Sequence, residues 1–417
     1  MHDGEHSYPR HLAARVRGAW PSDARPLPGG LEALLDVAYH ASFMRNEERP
    51  VACRLLVSPR SAFALQDGPP SGLLPMAVTA PRRLDEDELR RIAPAANFYR
   101  ALVGVDEAAP GELSAWGLLQ SGPRWMQPSR GGRARETTMP RSLVVRVVRP
   151  GHLVVSCGNQ ELAELRGGRL SDFTLDVFRS AWLPALFAAE REAMAAEHRA
   201  AAKPPLEPAV AGALTGVLAQ QMIKRVVATI RTAHHGGTIL AVPADCPGER
   251  YLHPRYAFDD APPRRRFRTL VLASLERLAR RAAETGKPAS ADSYLHEDDA
   301  LLAELDEGLF EWSHLIAALS QVDGAVVLTK RFELLGFGAE IAGGLPAVTH
   351  VRRGHDLEAD SFATEIVEDV GTRHRSAYRL SEALPGALAI VVSQDGGVRF
   401  VNRHRGAVTY WEHGPGD

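Results

Sequence analysis

The chain has 417 residues, of which 45% are hydrophobic and 24% charged, and its formal net charge is −2. That length allows two domains, each with its own core, and the near-neutral balance gives no electrostatic footprint for nucleic acid or an acidic membrane surface. Its three cysteines, Cys53, Cys157 and Cys246, are far apart and have no metal-type spacing, Met1–His6 lacks the apolar core of a signal peptide, and no run reaches the roughly eighteen apolar residues that span a bilayer; these features predict a cytoplasmic protein with no membrane partner.

In the first block, Gly30–His40 places apolar residues at helical spacing, and Cys53–Val57 reads as a strand. The acidic start of Leu84–Leu89 suits the N-terminus of another helix. Short strands are predicted at Ser114–Leu119, Ser142–Val148 and His152–Ser156, with Pro150-Gly151 as the tight turn between the last two, and Leu162–Leu170 continues the pattern. Together these predict an α+β domain with a small antiparallel sheet. The block contains no Gly-x-x-x-x-Gly-Lys-Ser/Thr, no Gly-x-Ser-x-Gly and no His-Glu-x-x-His. Trp116 and Trp125 are tryptophans of the kind that stack on ligands, but packing in a core is the commoner use.

The Ala-, Glu- and Arg-rich segment Ala185–Ala202 has strong helix propensity, and Lys203-Pro204-Pro205-Leu206-Glu207-Pro208 stops it. The boundary between residues 1–203 and 204–417 is placed there. A long helix, Leu218–Thr232, then runs into the strand Gly236–Pro243. His234-His235 does not form a shared metal site, because neighbours on a helix point in different directions. Arg264-Arg265-Arg266-Phe267-Arg268 precedes an amphipathic helix, Leu270–Ala282, and reads as a solvated turn before it reads as a phosphate contact.

Three motifs near the C-terminus carry chemistry. Asp323-Gly324-Ala325 opens a β-branched strand running to Thr329. A carboxylate at a strand edge, followed by a residue without Cβ, can hold a divalent cation while the backbone approaches a ligand, although an Asp-Gly turn gives the same letters. Gly371-Thr372-Arg373-His374-Arg375 opens a helix of two to three turns, so its free N–H groups and two guanidiniums suit phosphate oxygens. A solvated basic turn is the alternative, and the second copy, Arg403-His404-Arg405, reads as a hairpin turn. The apolar run Ala389–Val392 then ends in Ser393.

In this order and context, the three motifs resemble the diadenylate cyclase (DAC) domain, a bacterial family that condenses two ATP molecules into cyclic di-AMP. The likeness spans roughly residues 210–412 and includes the helix-like Leu309–Leu319 ahead of Asp323. The fold it implies, after the α+β N-terminal domain, is an α/β domain with a mixed central β-sheet flanked by helices. It implies Asp323 as ligand of Mg2+ or Mn2+ and as the acid that helps deprotonate the attacking hydroxyl. Gly324 and Ala325 would let the backbone touch the nucleotide, and Gly371, Thr372, Arg373, His374 and Arg375 would grip phosphates. Ser393 would donate to a phosphate oxygen, and Gly338 to Ile341 are candidates for the adenine pocket. The two-fold symmetric product implies a homo-oligomer with sites face to face. The first block resembles sensor domains found ahead of some DAC domains, which implies an unidentified small-molecule or protein signal.

The chain departs from the family pattern in several places. Val322 precedes the Asp-Gly-Ala where some members carry His, and Gln394-Asp395-Gly396-Gly397 replaces the acidic pair that often follows the serine. Two stretches, roughly Ala244–Leu305 and Ala342–Ala363, are long for the family, and the second is expected to cover or partly close the site. The expected function is an ATP-condensing nucleotidyltransferase, and the alternative is a DAC-like receptor for ATP or cyclic dinucleotide that no longer turns over.

Overall fold

The computed structural model describes residues 6–63, 68–69, 73–109, 111–122, 131–133, 140–158, 160–171, 175–233, 235–245, 248–259, 261–341, 344–367, 370–394 and 396–414; Trp125, His234, Cys246 and Asp395 lie outside them. The chain divides into two compact units, one of residues 1–129, 134–174 and 416–417, the other of residues 130–133 and 175–415.

The first unit opens with two helices, α1 (Pro9–Ala19) and α2 (Leu31–Ser42), then two short strands, β1 (Arg45–Asn46) and β2 (Arg49–Pro50). Next come β3 (Cys53–Val57), β4 (Leu74–Arg83), α3 (Glu86–Ile92), β5 (Ala101–Ala109) and β6 (Glu112–Gln120), and then β7 (Leu143–Arg149), β8 (His152–Cys157), β9 (Gln160–Arg166) and β10 (Arg169–Ser171). Asp85 caps α3 by accepting a hydrogen bond from the Glu88 amide at 2.8 Å, as the acidic start of that segment predicts.

The sheet is larger than the small antiparallel one expected. It has eight strands in the order β10-β9-β8-β7-β3-β5-β6-β4, and β3 lies parallel to β5 with Leu55 opposite Val103. The chain leaves β3, builds the edge strand β4 and the helix α3, and only then returns. A crossover of that length makes parallel neighbours possible where a short hairpin would not. Alternate residues such as Leu55, Val103, Val145 and Val155 bury against Leu12, Val16, Leu34 and Leu35 of the two opening helices. Trp116 is a core residue: its Nε1 donates to Ser58 O at 2.8 Å, and its indole fills the space over Gly104, where a Cβ would stand 2.0 Å from the ring.

The second unit contains α4 (Trp182–Leu186), α5 (Ala188–Ala201), α6 (Pro208–Ala233), β11 (Gly237–Val242), β12 (Leu252–Ala257), α7 (Arg266–Thr285), α8 (Ala291–His296) and α9 (Ala300–Leu319). It continues with β13 (Ala325–Thr329), β14 (Leu334–Ile341), β15 (His350–Gly354), β16 (Phe362–Ile366), α10 (Thr372–Ala383), β17 (Leu388–Val392), β18 (Val398–His404) and β19 (Ala407–His413). The Lys203–Pro208 joint therefore lies inside this unit. Residues 131–133 also belong to it: the Gly131 carbonyl accepts from Arg225 Nε at 3.0 Å, and the Gly132 amide donates to Gln221 Oε1 at 2.6 Å.

Its nine-stranded sheet is mixed, in the order β12-β14-β13-β11-β17-β18-β19-β15-β16, with β11 parallel to β13 and β15 parallel to β19. Strand alternation sends Ile239, Ala241, Val326 and Leu328 to one face, against apolar residues of α6, α7 and α9. It sends Leu240, Val242, Ala325 and Val327 to the other face, against Ala377, Tyr378 and Leu380 of α10. Both faces are covered, which is why β11 and β13 read as continuous apolar runs.

Among the described residues of Ala342–Ala363, β15 and the start of β16 form a hairpin at the far edge of the sheet, separated from β17 by β18 and β19. These strands extend the sheet, while the loop before them packs against α10, where Leu345 O accepts from Arg379 Nη2 at 2.8 Å. The basic run is not the solvated turn expected: α7 already begins at Arg266, Phe267 is buried, and Arg265 pairs with Glu333 and Arg268 with Glu197. Arg405 occupies the β18–β19 turn at φ 47° and pairs with Asp360 at 2.6 Å, so the second Arg-His-Arg is structural.

Candidate functional site

The sheet brings the three motifs to one edge. Ile239 pairs with Val326 in the parallel ladder, and Gly237 pairs with Val392 in the antiparallel one. Carrying the antiparallel register one residue further sets Gly236 level with Ser393, and Asp323 lies in the bend that precedes β13 at the same end of the sheet. On the other side β14 pairs Ala339 with Ala325 and ends at Ile341, and the residue beside the Asp323 backbone is Gly338.

Asp323 is exposed at this edge, and among the described residues its carboxylate has no hydrogen-bond or ion-pair partner. Gly324 behind it has φ 109°, and a Cβ there would stand 2.6 Å from the Gly338 carbonyl carbon. Gly338, at φ 61°, would in turn carry a Cβ 3.5 Å from Asp323 O. The two glycines thus let β14 pass directly against the backbone that carries the acid.

Gly371 is the N-cap of α10 and has no side chain with which to cap the helix, so the first-turn amides of Thr372 and Arg373 receive no side-chain cap from it. Arg375 is exposed and folds back on the chain: its amide bonds Gly371 O at 3.1 Å and its Nη2 donates to Val370 O at 3.1 Å. The His374 ring lies 6.5 Å from that of buried Tyr378, whose hydroxyl accepts from Arg399 Nη1 at 3.2 Å and so anchors the helix. Burial raises the Tyr378 phenol above its ordinary range and keeps it neutral.

Arg373 is the group that joins the motifs. It is half-buried, it has no hydrogen-bond or ion-pair partner among the described residues, and its Nη1 would stand 2.7 Å from a Cβ placed on Gly236. The guanidinium therefore lies over Gly236, at the end of the sheet where β17 gives way to Ser393. A cation and an anion without partners among the described residues, at one end of the sheet and beside a helix N-terminus whose N-cap is glycine, suit a polyphosphate and its counter-cation.

Ser393 is placed at the edge but engaged there: its Oγ donates to Gly397 O at 3.1 Å within the β17–β18 turn, which the Ser393 amide also closes at 2.8 Å. Reading the motifs alone did not single out Gly236 and Gly237 as site residues. Gly236 has φ 67° and lies under Arg373, and a Cβ on Gly237 would stand 2.6 Å from Ser320 Oγ at the end of α9. The doubled glycine at a strand start was the available signal.

No cluster of three or more His, Cys, Asp and Glu that could hold a metal occurs among the described residues. The exposed Asp323 carboxylate fits a divalent ion whose remaining ligands come from phosphate oxygens and water. No helix among the described residues is long and apolar enough to cross a membrane.

Comparison with known proteins bears on the first unit. Residues 21–120 match the family described as "Probable sensor domain DACNV". No curated protein matches the chain. Among solved structures, a hypothetical membrane spanning protein from Bacillus cereus is 18% identical over 47% of this chain and 63% of that one, with a TM-score of 0.23.

Proposed function

We propose that the second unit condenses two ATP molecules into cyclic di-AMP, releasing two pyrophosphates, and that the first unit acts as its sensor. The observation that carries this reading is the Arg373 guanidinium, without a partner among the described residues, over Gly236 and level with Ser393 at the end of the sheet where the exposed Asp323 precedes β13. The match of residues 21–120 to a probable DAC-associated sensor domain supports the same reading for the first unit.

In this mechanism Asp323 takes the proton from the attacking 3′-hydroxyl and supplies the protein ligand for Mg2+ or Mn2+. Bound there, the ion offsets charge on the α-phosphate and on the departing pyrophosphate. Arg373 and the amides of Thr372 and Arg373 at the start of α10 hold the phosphates, where fixed donors are worth most as negative charge builds. Gly324 and Gly338 keep the backbone low enough for the nucleotide to lie against it. Because the product joins two nucleotides by two equivalent bonds, a second copy of the chain must present its own site to the first.

One observation favours the receptor alternative: the Ser393 hydroxyl is already used within its own turn. Incubation with ATP and Mn2+ or Mg2+, with the product identified by mass spectrometry, decides between the two. Cyclic di-AMP supports the cyclase, whereas ATP or cyclic di-AMP binding without product supports the receptor.

A further inference from the structure

The second unit holds a cavity of about 210 Å³ at the opposite end of β13 from Asp323. It lies between the α4–α5 pair, α6 and the turn at Lys330–Phe332, and is lined by Leu183, Phe187, Met194, Ile223, Phe267 and Phe332. A dry apolar cavity of ~150 Å³ takes a benzene-sized molecule. This one has room for a ring and a short arm. Phe187, Ile223 and Phe332 also wall a void of about 20 Å³ that reaches Ile239 of β11 and Leu328 of β13, so the floor rests on the central strands.

Four charged side chains also line it, and three of them are engaged. Glu190 accepts from Arg331 Nε at 2.6 Å, and Lys330 Nζ donates to Leu186 O at 3.0 Å. Arg191 is the fourth; among the described residues its guanidinium has no carboxylate or carbonyl partner. It packs over Gly216 of α6, where a Cβ would stand 3.4 Å from Arg191 Nη1. Glycine disfavours a helix interior, and here it makes room for that guanidinium.

We propose that this cavity is a second ligand site, distinct from the nucleotide site, which takes a small apolar carboxylate: its ring or branched chain lies among Phe187, Ile223, Phe267 and Phe332, and its carboxylate meets Arg191. The apolar walls supply burial, and the fork of Arg191 supplies orientation and selectivity for an acid. The occupant touches the α4–α5 pair on one side and the end of the Asp323 strand on the other.

The test is calorimetric titration of the full chain with 3-phenylpropionate and, as its uncharged counterpart, 3-phenylpropanol. The acid is expected to bind saturably below about 1 mM and at least about tenfold more tightly than the alcohol. Arg191→Gln should weaken the acid about tenfold while changing the alcohol less than about threefold, a selective loss of ~1.4 kcal/mol. Ala219→Phe, which fills the cavity, should abolish binding of both, with its melting curve confirming a folded chain. Absence of saturable binding to the wild type, equal affinity for acid and alcohol, or unchanged acid affinity in Arg191→Gln or in folded Ala219→Phe would overturn the proposal. The readout is binding rather than turnover, so failure here leaves the cyclase reading standing, and loss of the cyclase reading leaves this site standing.

Discussion

Replacing Gly236 by alanine tests the geometry that joins the motifs. The added methyl would stand 2.8 Å from Val392 O, 2.7 Å from Arg373 Nη1 and 3.1 Å from the Gln394 amide nitrogen, at a residue whose φ is 67°. The carbonyl is backbone in the centre of a sheet and cannot give way, while the guanidinium is the end of a flexible side chain and can. Left-handed backbone in a residue with Cβ costs about 1–2 kcal/mol, and the contact with Val392 O brings the loss to about 2 kcal/mol. For a unit of this size that lowers its melting temperature by about 4–8 °C. Restoring ordinary contact requires Arg373 to move by about 1 Å, enough to lose a charge-assisted bond to phosphate worth ~1.5–3 kcal/mol. Affinity for an ATP analogue with an uncleavable α,β bridge, measured by calorimetry, should fall about 10- to 100-fold. Gly406→Ala is the control: its φ is 81° but nothing lies within 4 Å of the new Cβ, so it carries strain without touching the site. It should lose about 1 kcal/mol of stability and keep its nucleotide affinity. Unchanged affinity in Gly236→Ala, or an equal loss in Gly406→Ala, refutes the placement of Arg373 in the nucleotide site.

Other perturbations follow from the same structure. Asp299 caps α9 by accepting from the Leu302 amide at 2.9 Å and takes a paired contact from Arg277, which holds its carboxyl near a pKa of about 2, below the ordinary 3.8. Because the folded value is depressed, its contribution is complete above the ordinary value and is lost as pH falls from 3.8 toward 2; Asp299→Ala should cost about 2 kcal/mol at neutral pH and flatten that part of the acid-denaturation curve. Arg225, buried on α6, bonds Asp306 at 2.6 Å and the Gly131 carbonyl at 3.0 Å; Arg225→Met removes the charge opposite Asp306, which keeps the Tyr294 hydroxyl at 2.8 Å, and should destabilise the second unit by about 3 kcal/mol in denaturant titration. Burial pushes the Cys53 thiol up to about 12, so a thiol reagent at pH 8 should label it only after unfolding.

What the sequence makes legible is local. β13, α10 and β17 fall where β-branched runs and a Gly-Thr start predict them, because each is specified by its own neighbours. The hairpin turn at Arg403–Arg405 and the core role of Trp116 follow from the same kind of reasoning. The partner of each strand is not local. Nothing near Cys53–Val57 says that it pairs with β5 in parallel, and nothing in Ala342–Ala363 says that its strands extend the far edge of the sheet. Gly236 belongs to the same class, since its meaning depends on Arg373, which the chain reaches only after six further strands. The helices before the Lys203–Pro208 joint have apolar faces that suit either unit, and only packing assigns them to the second.

The central claim is most directly tested by incubating the purified full chain and its Asp323→Asn variant with ATP and Mn2+ or Mg2+ and identifying the product by mass spectrometry. The account predicts cyclic di-AMP from the wild type and a loss of at least about 100-fold in the variant, which keeps the shape of Asp323 but loses its charge. Equal product from both proteins, or no product from a wild type that binds ATP, contradicts it.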